Sequence, residues 1–217
     1  MLTVGVDGDA VESDLRAGLL ICPVGGCGGR LAPWGWARPR WVRGLAMTER
    51  LRPRRSRCVS PGCGATHVLL PASVLLRRAD AVDVIGAALL AAAQGLGQRR
   101  VAERVGRPVS TVRGWLSRMV RVAGRVLSVC AATAAFLGSV FVPPAGEGFG
   151  PVAAVVEMVG ALGRAVGLRL GGSRSSWRLA AMVTSGRLLA PWGPDLLAAV
   201  ADRGNTSSRL VDRSVDR

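Results

Sequence analysis

Two cysteine pairs are the residues of this chain best placed to do chemistry. CPVGGC (22–27) and CVSPGC (58–63) are C-x4-C loops separated by thirty residues. Both are rich in Gly and Pro, as expected of tight knuckles that turn backbone N–H groups toward sulfur. Together Cys22, Cys27, Cys58 and Cys63 supply four soft ligands, the set that a closed, tetrahedral structural Zn2+ site needs. Thiolates are the ligating form, and the surrounding arginines favour deprotonation. The four-residue gap differs from the C-x2-C of ordinary zinc ribbons. Reduced, unliganded thiols are the next reading. Disulfides come last, because the start MLTVGVDGDAVESDLRAG has no basic n-region and no secretory signal. His67, four residues after Cys63, is an alternative ligand but reads first as a strand residue. Cys130, in an apolar helix, reads as a buried thiol.

The second constellation is QRRVAERVGRPVSTVRGWLS (98–117). Val101 and Val105 lie four apart on one helix face, with small Ala102 beside them where a second helix can cross closely. Gly106 offers the positive φ that a helix C-terminus favours, and Pro108 suits the start of the next helix. Val112 and Trp115 return the second helix to the first. This is helix-turn-helix spacing. Its polar surface carries Arg99, Arg100, Arg107, Ser110, Thr111, Arg113 and Arg118, the residue types that bind phosphates and base edges. An ordinary helical hairpin with a solvated face is the competing reading.

The charge distribution agrees with a nucleic-acid partner. Net charge is +15, and all 29 basic residues are arginine. Nine fall between residues 30 and 57 against one acid, Glu49, and eight between 99 and 125 against Glu103. Such fields attract polyphosphates through counterion release, and an anionic membrane surface is the weaker alternative. Trp34, Trp36 and Trp41 are interleaved with the first block. They could stack bases, but the preferred reading gives their bulk to a ribbon short of aliphatic core.

These residues need scaffolding. A short amphipathic helix is expected over 9–17, a strand at 19–21 leading into Cys22, and a strand over 67–70 closed by Pro71. ADAVDVIGAALLAAAQ (79–94) predicts the supporting first helix of a three-helix domain, followed by helices at 98–105 and 109–121. Residues 126–146 carry no charge. A buried or partner-packed helix is preferred there to a membrane span, because the stretch is mostly Ala, Val, Ser and Thr and contains Pro143 and Pro144. Further helices are expected over 151–170 and 177–189, the latter capped by Ser175 or Ser176. The polar end, 201–217, reads as disordered.

Catalysis is not expected. Beyond the helix-turn-helix the carboxylates are Glu147, Glu157, Asp195, Asp202, Asp212 and Asp216, too dispersed for a divalent-metal cluster. His67 is the only histidine, and no P-loop or G-x-S-x-G is present.

The order of a cysteine knuckle, an APWG ribbon, RSRCVSPGCGATHVLLP (55–71) and RVAERVGRPVSTVRGWL (100–116) resembles the N-terminal zinc-ribbon and helix-turn-helix region of insertion-sequence transposases. It resembles more closely uncharacterised bacterial proteins that share this region without a catalytic domain. The resemblance covers residues 15–120. It implies DNA binding through a recognition helix and a zinc-stabilised N-terminal module.

The resulting expectation is a mainly α protein. A small β zinc-ribbon module occupies 1–76, a helix-turn-helix domain 77–125, an apolar helical and dimerising region 126–200, and a tail 201–217. Its expected function is cytoplasmic, non-enzymatic binding of double-stranded DNA as a homodimer. Two competitors are an interaction module of a larger transposition or transcription complex, and a single-strand or RNA binder.

Overall fold

The computed structural model describes residues 1–139, 150–170 and 175–191. The expected disordered tail and the Pro143-Pro144 step lie outside the described residues.

The N-terminal part is built on strands. β1 (Leu2–Val4) leads to α1 (Gly8–Arg16), which Asp7 caps by accepting the N–H groups of Asp9 and Ala10. β2 (Leu31–Trp36), β5 (Arg54–Cys58) and β6 (Thr66–Pro71) complete a four-stranded sheet in the order β1-β6-β5-β2. β1 pairs with β6 in parallel, Leu2 opposite Leu69, and the other pairings are antiparallel. Val11 and Leu15, one helical turn apart on α1, cover this sheet together with Val4, Leu31 and Leu69. β3 (Arg40–Arg43) and β4 (Thr48–Leu51) form a separate antiparallel hairpin, seated through Val42 on Leu70 and Val74.

The expectation of a mainly α protein is therefore corrected: the described residues are 48% helix and 19% strand, with a four-stranded sheet in the N-terminal part and six helices among them. The strands have a core of their own, so the molecule is α+β. The short β1 has too few residues to show a period, and its pairing with β6 is a contact across more than sixty residues. The strand expected at 19–21 shrinks to one bridge, Ile21 opposite Arg30.

The helices follow. α2 (Val82–Ala93) is buried through Val82, Ile85 and Leu89. α3 (Gln98–Val105) buries Val101, Ala102 and Val105. α4 (Val109–Phe136) runs fifteen residues past the expected end at 121. Its stripe of Val112, Trp115, Met119, Ala123, Val126, Cys130 and Ala134 keeps a three-to-four-residue step throughout, so nothing ends the helix earlier. α5 (Pro151–Leu170) lays Val155, Met158, Val159, Leu162 and Val166 against it. Both helices are long and apolar enough to cross a membrane by length and composition. Here their apolar faces meet in one core shared with α2 and α3.

α6 (Ser176–Val183) stops before its expected end, because Ser185 and Gly186 take positive φ. Ser175 caps it through the Arg178 N–H. Ser175 and Arg178 also reach Asp83 at 2.6 and 3.0 Å, and the Trp177 ring lies on Gly86, where a Cβ would clash.

Candidate metal centre and nucleic-acid interface

The two knuckles come together. The Cys22 N–H bonds Gly29 C=O, Cys58 ends β5, and the four sulfurs lie within 4.8 Å of one another. Cys22 Sγ is 3.9 Å from Cys63 Sγ and Cys27 Sγ is 3.6 Å from Cys58 Sγ. A tetrahedral shell with metal–sulfur bonds of about 2.3 Å separates its sulfurs by about 3.8 Å. All four thiols are unbridged. The donor set and its spacing therefore suit a metal ion.

The knuckles are local copies of each other. In each, the glycine four residues after the first cysteine (Gly26, Gly62) and the one after the second (Gly28, Gly64) have positive φ. Cys27 N–H bonds Val24 C=O and Cys63 N–H bonds Ser60 C=O, closing equivalent turns. The Ser60 N–H points at Cys58 Sγ, 3.4 Å away. Gly29 is packed under the sulfurs: a Cβ there would stand 2.7 Å from Cys58 Sγ and 2.6 Å from Ser60 Cβ.

The thiols are unlike one another electrostatically. The Gly29 N–H, then the neighbouring Cys63 and Cys58, bring Cys27 down to about 7. Burial pushes Cys22 up to about 12 despite a bond from the Val24 backbone. At Cys58 the Ser60 N–H pulls the pKa down, but burial and the adjacent thiols leave it raised. A cation in the centre reverses that burial penalty by favouring four thiolates. His67 stands outside the four-sulfur cluster. Its Nε2 is 3.4 Å from Cys22 Sγ, and burial, followed by the Met1 ammonium, lowers its pKa. An imidazole in contact with one of these sulfurs is placed to orient it.

The helix-turn-helix is closed by the turn between α3 and α4. Gly106 sits at φ 63°, ψ 42°. Its N–H bonds Glu103 C=O at 3.2 Å and the Arg107 N–H bonds Ala102 C=O at 3.0 Å, the Schellman pattern. Pro108 immediately precedes α4, and its carbonyl accepts from Thr111 and Val112. Val101, Ala102, Val105, Val112 and Trp115 are all buried.

The expected contact residues divide into two groups. Arg99, Arg100, Ser110 and Arg113 are exposed, and Thr111 and Arg118 are half-buried beside them. Arg99, Arg100 and Val109 line a concavity with residues 94–98 at the mouth of the α2–α3 turn. The outward row of α4 continues through Ser117 and Arg121, joined at 2.9 Å. Arg121 is absent from the expected set, and its four-residue step from Ser117 is the signal for it. Arg118 adds its charge to that of Arg78, whose pKa is lowered first by burial and then by this neighbour.

Arg107 is engaged elsewhere. Its Nε donates to Asp80 at 2.6 Å, its Nη2 to Gly44 C=O at 2.8 Å and its Nη1 to Gly106 C=O at 2.9 Å. Asp80 also accepts from Arg43 of β3 at 2.8 Å. The arginine thus fastens the helix-turn-helix turn to the β3–β4 hairpin.

The tryptophans of the ribbon differ from expectation. Trp34, Trp36 and Trp41 are 51, 53 and 63% exposed, so they do not fill a core. The aliphatic residues Val4, Leu15, Leu31 and Leu69 do that.

Residues 77–126 match the family model of a homeodomain-like domain, a DNA-binding helix-turn-helix family common in transposases. No curated protein and no solved structure matches the chain.

Proposed function

We propose that this protein binds double-stranded DNA sequence-specifically through α4, as a transcriptional regulator or mobile-element-associated binder without catalytic activity. The observation that carries this reading is the outward row Ser110, Arg113, Ser117 and Arg121 on α4. It is flanked by exposed Arg99, Arg100 and Arg104 on α3 within the matched domain. The N-terminal part of α4 enters the major groove, with Ser110, Thr111 and Arg113 toward base edges. Arg99, Arg100 and Arg118 lie along phosphates. The four cysteines hold one structural Zn2+, making the N-terminal module a zinc ribbon in the broad sense. One helix-turn-helix reads few base pairs, so the protein acts as a homodimer in the cytoplasm, on the nucleoid. Phe136 and Leu168, both exposed, belong to the apolar surface of α4 and α5 that a second copy would cover.

The test is iterative selection from random duplex DNA at about 150 mM salt, with metal content assayed on the same sample. A defined, palindromic motif and one zinc per chain are expected. Replacing Ser110 and Arg113 together by Ala should abolish the motif preference while leaving salt-sensitive binding. Retention of the preference would remove α4 from the recognition role. Selection of no motif would favour an interaction module within a larger complex.

A further inference from the structure

The ribbon carries a surface that the helix-turn-helix does not use. Three of the five described tryptophans are at least half exposed, whereas Trp115 is 2% exposed and serves the core. Leaving such rings in water forfeits the burial that normally justifies them. All three are on the strands that hold the first arginine block, and each ring has an arginine beside it. The Arg57 guanidinium lies 4.8 Å from the Trp34 ring centre. Those of Arg54 and Arg52 lie 4.9 and 5.8 Å from that of Trp36. Trp41 is opposite Arg50 in the β3–β4 register. Trp34 falls at the register shift between Pro33 and Gly35, and Gly35 follows at φ 114°. A bulge of this kind re-aims a side chain.

Charge decides the kind of partner. Glu12 is already bound by Arg54 and Arg16, which leaves Glu49 as the acid among these strands. Trp41 shares a concavity with Arg38, Pro39, Arg40 and Arg50. Arg40 Nε and Nη2 are themselves enclosed and have no hydrogen-bond partner among the described residues. A polyanion complements this field, and flat rings between guanidinium planes complement aromatic faces. Unpaired nucleobases joined by phosphates have both properties. A closed duplex hides its base faces, and phosphate contact alone does not require tryptophan.

We propose that the exposed rings of Trp34, Trp36 and Trp41, with Arg50, Arg52 and Arg57, bind single-stranded DNA by base stacking. The choice of DNA over RNA rests on the duplex-binding role assigned to α4; the stacking itself does not. The chain then has two separate nucleic-acid surfaces, one for duplex and one for an opened strand.

The full chain is titrated with fluorescein-labelled (dT)20, (rU)20 and polyglutamate at about 150 mM salt, reading anisotropy and tryptophan quenching. Binding of (dT)20 with quenching is expected. Trp34→Ala/Trp36→Ala should weaken it by about tenfold per ring, and Trp34→Phe/Trp36→Phe should retain most of it. Far-UV circular dichroism and the duplex affinity of each variant should match the parent, since α4 is untouched. Conversely, Ser110→Ala/Arg113→Ala should lose the duplex motif and keep (dT)20 binding, so the two readings fail separately. Equal (dT)20 affinity in parent and Ala variant would overturn stacking. Polyglutamate bound as tightly as (dT)20 would overturn the nucleic-acid assignment, and (rU)20 bound more tightly would overturn the choice of DNA.

Discussion

Asp80 is a residue at which the sheet-bearing part and the helical part are tied, and its removal has a calculable consequence. Its side chain is 4% exposed and receives Arg107 Nε at 2.6 Å and Arg43 Nη2 at 2.8 Å. The two arginines are unequal partners, with side chains 13 and 47% exposed. Removing one member of a buried pair costs about 3–5 kcal/mol, because the other charge is left uncompensated. Arg107 keeps its bonds to the Gly44 and Gly106 carbonyls, so Asp80→Ala should cost about 3 kcal/mol, at the lower end. Arg107→Ala strands the same carboxylate and should cost a similar amount. Arg43→Ala removes only a half-exposed charge, about 1 kcal/mol or less, while the backbone bonds of Arg43 to Ala79 and Ala81 persist. Urea unfolding followed by circular dichroism reads these differences. For a chain of this length about 3 kcal/mol corresponds to a Tm lower by roughly 6–12 °C. A double-mutant cycle should give a coupling of about 2 kcal/mol between Asp80 and Arg107. Asp80→Ala within about 0.5 kcal/mol of the parent, or Arg43→Ala as damaging as Arg107→Ala, would refute the argument.

Three further outcomes follow from local geometry. Gly106→Ala places a Cβ on a residue at φ 63° and should destabilise by about 1–2 kcal/mol in urea titration. Gly29→Ala drives a methyl into Cys58 Sγ and Ser60 Cβ. It should reduce the zinc found per chain by elemental analysis, and chelator should then lower the parent's Tm more than the variant's. The Arg54 guanidinium, bonded to Glu12 at 2.8 Å, is the first cause that holds the Glu12 carboxyl below its usual value of 4.5. The folded pKa is depressed, so this contribution is present above that value and fades as pH falls through the lower folded one. Glu12→Gln should flatten the acid limb of a stability-against-pH curve by about 1 kcal/mol, the top of the range for exposed pairs, because this pair is partly buried.

The helix-turn-helix was legible because every signal in it is local. Val101 and Val105, small Ala102, the Gly106 turn and the Val112–Trp115 return fall within fifteen residues. Helical period and capping chemistry suffice to place them. The cysteine cluster was legible for a related reason, since each knuckle writes its own turn into Gly and Pro. What was not legible depends on distant partners. The pairing of Leu2 with Leu69 has no local trace, so the sheet exceeded the expected ribbon and the fold became α+β. The full length of α4 is not legible because its uncharged half reads as a new region, although the same buried stripe continues past position 125 through Val126, Cys130 and Ala134. The outward position of the ribbon tryptophans is not legible locally, because ring size alone points inward. Leu31, Leu69 and the α1 residues already fill that space.

The fate of Arg107 shows why a motif read in isolation overcounts its contacts. By sequence it is one more cation in a basic motif, next to Gly106 and suited to a phosphate. In the fold its three donor nitrogens reach Asp80, Gly44 and Gly106. A guanidinium so engaged has little to offer a phosphate, and it does something else for recognition. The α3–α4 turn is the hinge on which the angle of α4 depends. Arg107 clamps that turn to the β3–β4 hairpin, which in turn sits on β6 through Val42 and Leu70. The β6 strand pairs with β5, and β5 ends at Cys58 in the cysteine cluster. A continuous path of hydrogen bonds and packing therefore runs from the four sulfurs to the first turn of α4. Loss of metal should loosen the orientation of α4 before it unfolds α2 to α4, whose core is their own. Duplex affinity of apoprotein should consequently fall at a chelator concentration where the helical circular dichroism signal is still intact. Simultaneous loss of both would mean that the two parts share a single folding transition.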